Sequence, residues 1–355
     1  MTDPSALDRP SALDRPSALS SLSPIPVPWP LPHGYPRHRP GRAELRHAIT
    51  YLADRADWPS LSWSALVEGL LQVGLADIPL GRLVEGHVDS LRILSQARLE
   101  PRLGAGYGVW ASRSAGTGVA AVPEGDKLRL DGTIRFASGA GVIDRALVPV
   151  WLDPEIHLLI DLAVSELPVD RSHWHTPAMQ VSQTHTVLVE GLLVPADDVV
   201  GEQNFYLGRP GFLPGGVGVA AVWTGGLTRV LDVTVAMLTG RPVTAAQDFR
   251  LGRARLHLVA ALTAVRTAGQ RLDELWAAAG RRSAPVVAEV CAEARAIVAQ
   301  AVVAALAEVR TLAGPAGLAF DADLGHALDD LGLYVAQLNG DAESTRLGAA
   351  LRGRP

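Results

Sequence analysis

The chain has 355 residues, 48% of them hydrophobic and 19% charged, which suits a soluble protein of two or three domains with a large buried core. Its formal net charge of −5 supplies no general basic field for phosphate backbones, which speaks against nucleic acid as a partner. Lys127, the only lysine, lies in the turn-like PEGDKLRL, and no G-x-x-x-x-G-K-[ST] loop occurs; buried-amine Schiff-base chemistry and P-loop phosphate binding therefore drop out.

Residues 1–24 contain the repeat SALDRP SALDRP SALSS, too poor in apolar side chains to fold, and the following PIPVPWPLPHGYPRHRPG reads as an extended arm, so 1–42 is a disordered and Pro-rich tail. Residues 43–100 space Leu, Ile, Val and Ala at three and four, which predicts a short helical domain of about three helices broken at Trp58-Pro59 and Ile78-Pro79. Between 101 and 213 the period changes to two, in YGVWAS, LRLDGTIRFAS, RALVPVWL, IHLLIDLAV and THTVLVEGLLVP. Short strands with no long helix between them predict an antiparallel barrel or sandwich. From 214 to 355 helical spacing returns, near 217–238, 246–279, 284–313 and 321–351, as in a four-helix bundle. The fold class is α+β: helices, a β domain, then a bundle.

The only cysteine, Cys291, excludes intrachain disulfides and Cys-based zinc sites and reads as a buried thiol. The N-terminus has no basic-then-apolar leader pattern and no stretch reads as a membrane span, so the expected location is cytoplasmic. In LRLDGTIRFASGAG, Phe136 and Ser138 stand two apart, on one face of a strand that runs out into small residues. Such a strand either lays a ring and a hydroxyl against a planar ligand or buries its Phe in a barrel. His173 and His175 of HWH have no third ligand at metal spacing, so no metal site is expected. GTGVAA (116–121) and GVGVAA (216–221) open no βαβ unit and read as small-residue packing, and Glu289 and Glu293, at i and i+4, read as a solvated helix face.

Five segments, in order, resemble the acyl-CoA dehydrogenase family, and especially its divergent bacterial flavoproteins. YGVWASRSAGTG (107–118) resembles the family's first flavin strand, LDGTIRFASGAGVIDRALV (130–148) its second, and VLVEGLLVPADDVVGE (187–202) the strand and turn that close the β domain. RPGFLPGGVGVAAVWTGGLTRVLDVTV (209–235) resembles the first bundle helix, and DDLGLYVAQLNGDAESTRLGAAL (329–351) the last helical hairpin. The resemblance implies an FAD site walled by Tyr107, Val109, Trp110, Phe136 and Ser138. Arg241 matches the basic residue that family members extend across a subunit interface to the FAD diphosphate, which implies a homo-oligomer. It also implies an acyl-CoA or acyl-thioester-like substrate, an electron-transfer partner, and hydride transfer to flavin N5.

Two departures bear on the chemistry. In PVTAAQDFRLG neither the aromatic-Gly pair nor the later Gln that follow the family's Arg stands at the matching place, and no Glu-Gly-Thr turn supplies the catalytic carboxylate. The first bundle helix has no acid before Asp232. Asp341 and Glu343, in the matching hairpin, remain as candidate bases or as helix N-terminal charge. A flavin monooxygenase on the same scaffold needs no α-carbon base, and a degenerate member would survive as a binding or assembly subunit.

Overall fold

A computed structural model describes residues 26 and 28–353, except 166 and 279–282. The SALDRP repeats lie outside the described residues. After the Pro-rich arm come α1 (Arg42–Ala53), α2 (Trp63–Ala76) and α3 (Ile78–Gln96). Both proline breaks fall where expected. Trp58-Pro59 forms a single 3-10 turn, and Pro79 occupies the first turn of α3 behind Asp77, whose carboxylate accepts the Leu80 N–H at 2.9 Å.

Seven strands follow: β1 (Tyr107–Val109), β2 (Gly118–Glu124), β3 (Lys127–Ala137), β4 (Arg145–Trp151), β5 (His157–Ala163), β6 (Val169–Asp170) and β7 (His185–Pro195). They make one sheet in the order β1-β4-β2-β3-β7-β6, with β5 on the other edge of β4. The sheet is mixed, which corrects the expectation of a wholly antiparallel barrel or sandwich. β5 covers β4 along its full length as an antiparallel hairpin. The opposite edge is shared end to end by β1 at 145–147 and β2 at 150–151, both parallel to β4. Among the described residues the arrangement contains no helical crossover.

The second helical region comprises α4 (Phe205–Gly208), α5 (Phe212–Leu238), α6 (Ala245–Ala277), α7 (Ala284–Phe320), α8 (Ala322–Val335) and α9 (Gly340–Arg352). The helix α7 is broken at Gly314 (φ 59°), just before Pro315. The single helix expected over 321–351 is two: α8 ends at Val335, and Asn339 caps α9 by accepting the Ala342 N–H at 3.0 Å.

One apolar core runs through α1–α3 and α5–α8, a second fills the sheet, and a third joins them where Ile93 and Leu94 of α3 meet Tyr107, Leu147 and Leu159. The helices α2 and α5 touch backbone to backbone. A Cβ on Gly225 would lie 2.0 Å from the Leu71 carbonyl, and one on Gly74 would lie 2.3 Å from that of Val222, so only glycine allows this approach. α5 and α7 are long and apolar enough to cross a membrane, and 67% and 56% of their most apolar windows are buried within the fold.

Candidate functional site

Where α3, the first turns of α5, the end of α8 and the sheet converge, they enclose a cavity of about 700 Å³. The helix α3 is hooked to β1 by the Tyr107 N–H, which donates to His87 Nδ1 at 3.1 Å. Burial pushes the His87 imidazole down to about 4, so the ring is neutral and able to accept this bond. Gly86 makes the approach close: its Cβ position is 3.9 Å from Gly108 Cα.

The sheet side of the cavity is neutral. Val109, Ala111, Ser112, Phe136 and Ser138 face it. Phe136 has φ 58°, and the β3–β7 register shifts between Ile134 and Ala137, so the alternation of β3 is broken at this point. The expectation that Phe136 and Ser138 share one strand face is therefore corrected. Phe136 is 55% exposed, whereas Ser138 is 8% exposed in the turn beyond the strand. Both reach the cavity by way of the irregularity. Thr184 Oγ1 lies 3.0 Å from Ser138 Oγ and 2.7 Å from Ser182 Oγ. Ser182 Oγ donates to the Met179 carbonyl at 2.7 Å and Thr184 Oγ1 donates to Ser138 Oγ, which leaves the Ser138 hydrogen free for an acceptor in the cavity.

The helix side is charged. Arg82 Nη1 donates to Glu85 Oε2 at 2.5 Å, and Arg209 Nη2 donates to Asp89 Oδ1 at 3.3 Å. Burial, opposed by Arg82 and reinforced by Asp89, pushes the Glu85 carboxyl up to about 7. Arg295 lines the cavity from α7 with Glu343 behind it at 3.4 Å. Gly216 makes the space for Arg295, since a Cβ there would lie 3.1 Å from its Nε. Three groups along this side, Arg209 Nε, Arg295 Nε and the Tyr334 hydroxyl, are buried without a hydrogen-bond partner.

Of the residues singled out in the sequence, Val109, Phe136 and Ser138 line this cavity. Tyr107 is fully buried in the α3–sheet seam, its hydroxyl tied to Asp161 at 3.2 Å. Trp110 is buried too, donates to the Ser138 carbonyl at 2.9 Å, and lines a neighbouring cleft of about 200 Å³. Arg241 is exposed beyond the far end of α5, about 30 Å along that helix from the turn that lines the cavity. Asp341 is exposed in the first turn of α9. Glu343 is paired with Arg295 and Arg346, so it meets the cavity only through Arg295. The α8–α9 link presents Ala336 and Gln337 to the cavity.

Sequence reasoning passed over Arg82, Glu85, Asp89, Arg209, Arg295 and Tyr334. A signal was present for three of them. Arg82, Glu85 and Asp89 fall at i, i+3 and i+7, a polar stripe on a helix otherwise buried nearly all round.

No protein-family model matches the sequence, and no match is found among curated proteins. Solved structures do match. XiaF from Streptomyces sp., in complex with FADH2 and glycerol, superposes with TM-score 0.71 at 20% identity, over 88% of each chain. TdsC from Paenibacillus sp. A11-2, with FMN and indole, gives TM-score 0.70 at 16% identity, over 86% of this chain and 88% of that one. A glutaryl-CoA dehydrogenase from Mycobacterium smegmatis, in complex with FADH2, gives 0.73 at 14% identity, over 88% of this chain and 87% of that one. The fold is the acyl-CoA dehydrogenase fold. The resemblance read from the five sequence segments holds at that level.

Proposed function

We propose that this protein is a flavin-dependent oxidoreductase that oxygenates a compact substrate, in preference to desaturating an acyl thioester. The cavity carries the reading: a neutral wall at Val109, Phe136 and Ser138 faces a buried, charged helix face, and the α8–α9 link offers Gln337 where a facing carboxylate would serve desaturation. The wall fits a flavin. An apolar surface ending in a hydroxyl with a free hydrogen suits a planar heteroaromatic ring with acceptors at its edge. Neighbours of the same fold hold FMN or FADH2, which supports a flavin without choosing between FAD and FMN. Bound there, a flavin supplies hydride acceptance or, once reduced, activation of dioxygen.

The chain's own residues do the rest. Ser138, backed by Thr184 and Ser182, orients the ring. Phe136, Trp174 and Phe212 exclude water, and Glu85 is paired with Arg82. The position of Arg241 suits a reach to a neighbouring copy's cofactor, so we extend the proposal to a cytoplasmic homo-oligomer. Within it, residues 43–100, 101–213 and 214–355 act as helical, β and bundle units.

Absorbance spectra of the purified protein, before and after adding FAD or FMN, provide the test. Stoichiometric flavin, with oxygen consumed in the presence of a flavin reductase, is the expected result. Absence of flavin at high added concentration supports the degenerate assembly subunit instead. Reduction of an artificial acceptor by acyl-CoA would restore the dehydrogenase.

A further inference from the structure

Three guanidinium–carboxylate pairs stand at the helix side of the cavity: Arg82–Glu85, Arg209–Asp89 and Arg295–Glu343. Each cation is already matched, so no net charge is available for an incoming ion. Around the same space stand the rings of Phe136, Trp174, Phe212 and Tyr334, and the Tyr334 hydroxyl has no partner. Aromatic walls and an unused hydroxyl donor favour a ring carrying an oxygen acceptor.

We infer that the cavity takes an aromatic ligand bearing one anionic oxygen group, and that Glu85 takes up a proton as this ligand binds, freeing Arg82 to hold the ligand's charge. The inference rests on the reading of this cavity as the substrate site. An anion entering a buried region whose charges already balance is destabilised unless one carboxylate there is neutralised. Glu343 is paired with two arginines, Arg295 and Arg346. Asp89 is more open, with 21% of its side chain exposed, against 9% for Glu85. Glu85 has one cation partner, the carboxylate of Asp89 nearby, and burial that already pushes it up to about 7.

The other titratable groups around it are Arg82 and Asp89 on α3, Tyr334 on α8, Tyr206 and Arg209 before α5, and Arg295 on α7 with Glu343 behind. Burial raises both tyrosine hydroxyls, so they stay neutral through this range. The step is a proton transfer alone. Solvent supplies the proton, one O–H bond forms on Glu85, and the Arg82 hydrogen bond passes from Glu85 to the ligand oxygen.

The test is calorimetric titration of the full chain, with and without added FAD, using benzoate and 4-nitrophenolate as probes in two buffers of different ionisation enthalpy. At about pH 8 the wild-type protein should take up close to one proton per bound probe. Affinity for benzoate, which stays ionised throughout, should fall about tenfold per pH unit above about 7. In Glu85→Gln the uptake and the pH dependence should both vanish, since Gln stands in for the protonated acid. The tighter probe identifies the anionic group as carboxylate or phenolate. Binding of neither probe, binding without proton uptake, or unchanged uptake in Glu85→Gln each overturns the inference. The two-buffer comparison on the wild-type protein decides the matter even where the variant does not fold. Flavin content is read separately from absorbance. Uptake without flavin overturns the proposed function alone, and flavin without uptake overturns this inference alone.

Discussion

The two sides of the cavity are built on opposite plans. The sheet side uses hydroxyls and apolar groups from β1, β3 and the turns beside β3 and β7, held by a continuous backbone ladder. The helix side uses full charges contributed by α3, the segment before α5, and α7, each balanced by a carboxylate. Neutral hydrogen bonds each contribute about 1 kcal/mol and fix direction, whereas a buried ion whose partner is removed is destabilising by several times that amount. The sheet side is therefore suited to holding a flat group in one orientation. The helix side is where stability, pH response and ligand charge are coupled.

Arg209→Ala should break this contrast most severely. With 2% of its side chain exposed, Arg209 is the buried cation of Asp89 and also reaches Gln96 at 3.3 Å. Its loss should reduce stability by about 3–5 kcal/mol in urea unfolding. A loss below about 1 kcal/mol would mean the pair is solvated and the two sides are energetically alike.

The next effect is a pH slope. The Glu85 carboxyl is raised from 4.5 to about 7 in the folded state, so the native protein holds that proton more tightly than the unfolded chain. The associated loss of stability is absent below about pH 4.5, grows as pH rises, and is complete above about pH 7. At about 1.4 kcal/mol per unit it amounts to about 3 kcal/mol. Unfolding curves from pH 4 to pH 8 should lose that slope in Glu85→Gln relative to wild type. Equal slopes would place the Glu85 carboxylate in water. Asp330, also raised to about 7 by burial, gives both proteins a common background.

The smallest effects belong to the sheet side. Ser138→Ala should cost about 1 kcal/mol of stability and weaken flavin binding several-fold by equilibrium titration. Asp341→Asn, at an exposed position in the first turn of α9, should leave the melting temperature and flavin binding unchanged, within about 0.5 kcal/mol. A large effect from Asp341→Asn would return the proton chemistry to α9.

Legibility in the sequence followed the same division. Periodicity of two gave the β region, and Pro59 and Pro79 marked the helix breaks, because both signals are local. Phe136 and Ser138 stood out by type, yet their shared strand face was an artefact of assuming regular alternation; a left-handed residue at 136 leaves no trace in spacing. The parallel pairs on β4 were hidden because they join segments far apart in the chain with two or three residues each. The stripe Arg82, Glu85 and Asp89 has the spacing of an ordinary solvated face. The sheet, α5 and α8 packed around α3 turn it inward. Charge that looks solvated along the chain is turned toward the cavity, where Glu85 is buried.

The glycine contacts between α2 and α5 set a limit on how this cavity could be remodelled. With Leu71 and Val222 carbonyls resting on Gly225 and Gly74, neither helix can slide or rotate without a collision of main chains. α2 leads directly into α3 and α5 begins at the cavity, so the spacing of the charged face from the first turns of α5 is locked like two teeth in mesh. A larger or smaller ligand would have to be accommodated by exchanging side chains around the rim, since the frame has no free travel.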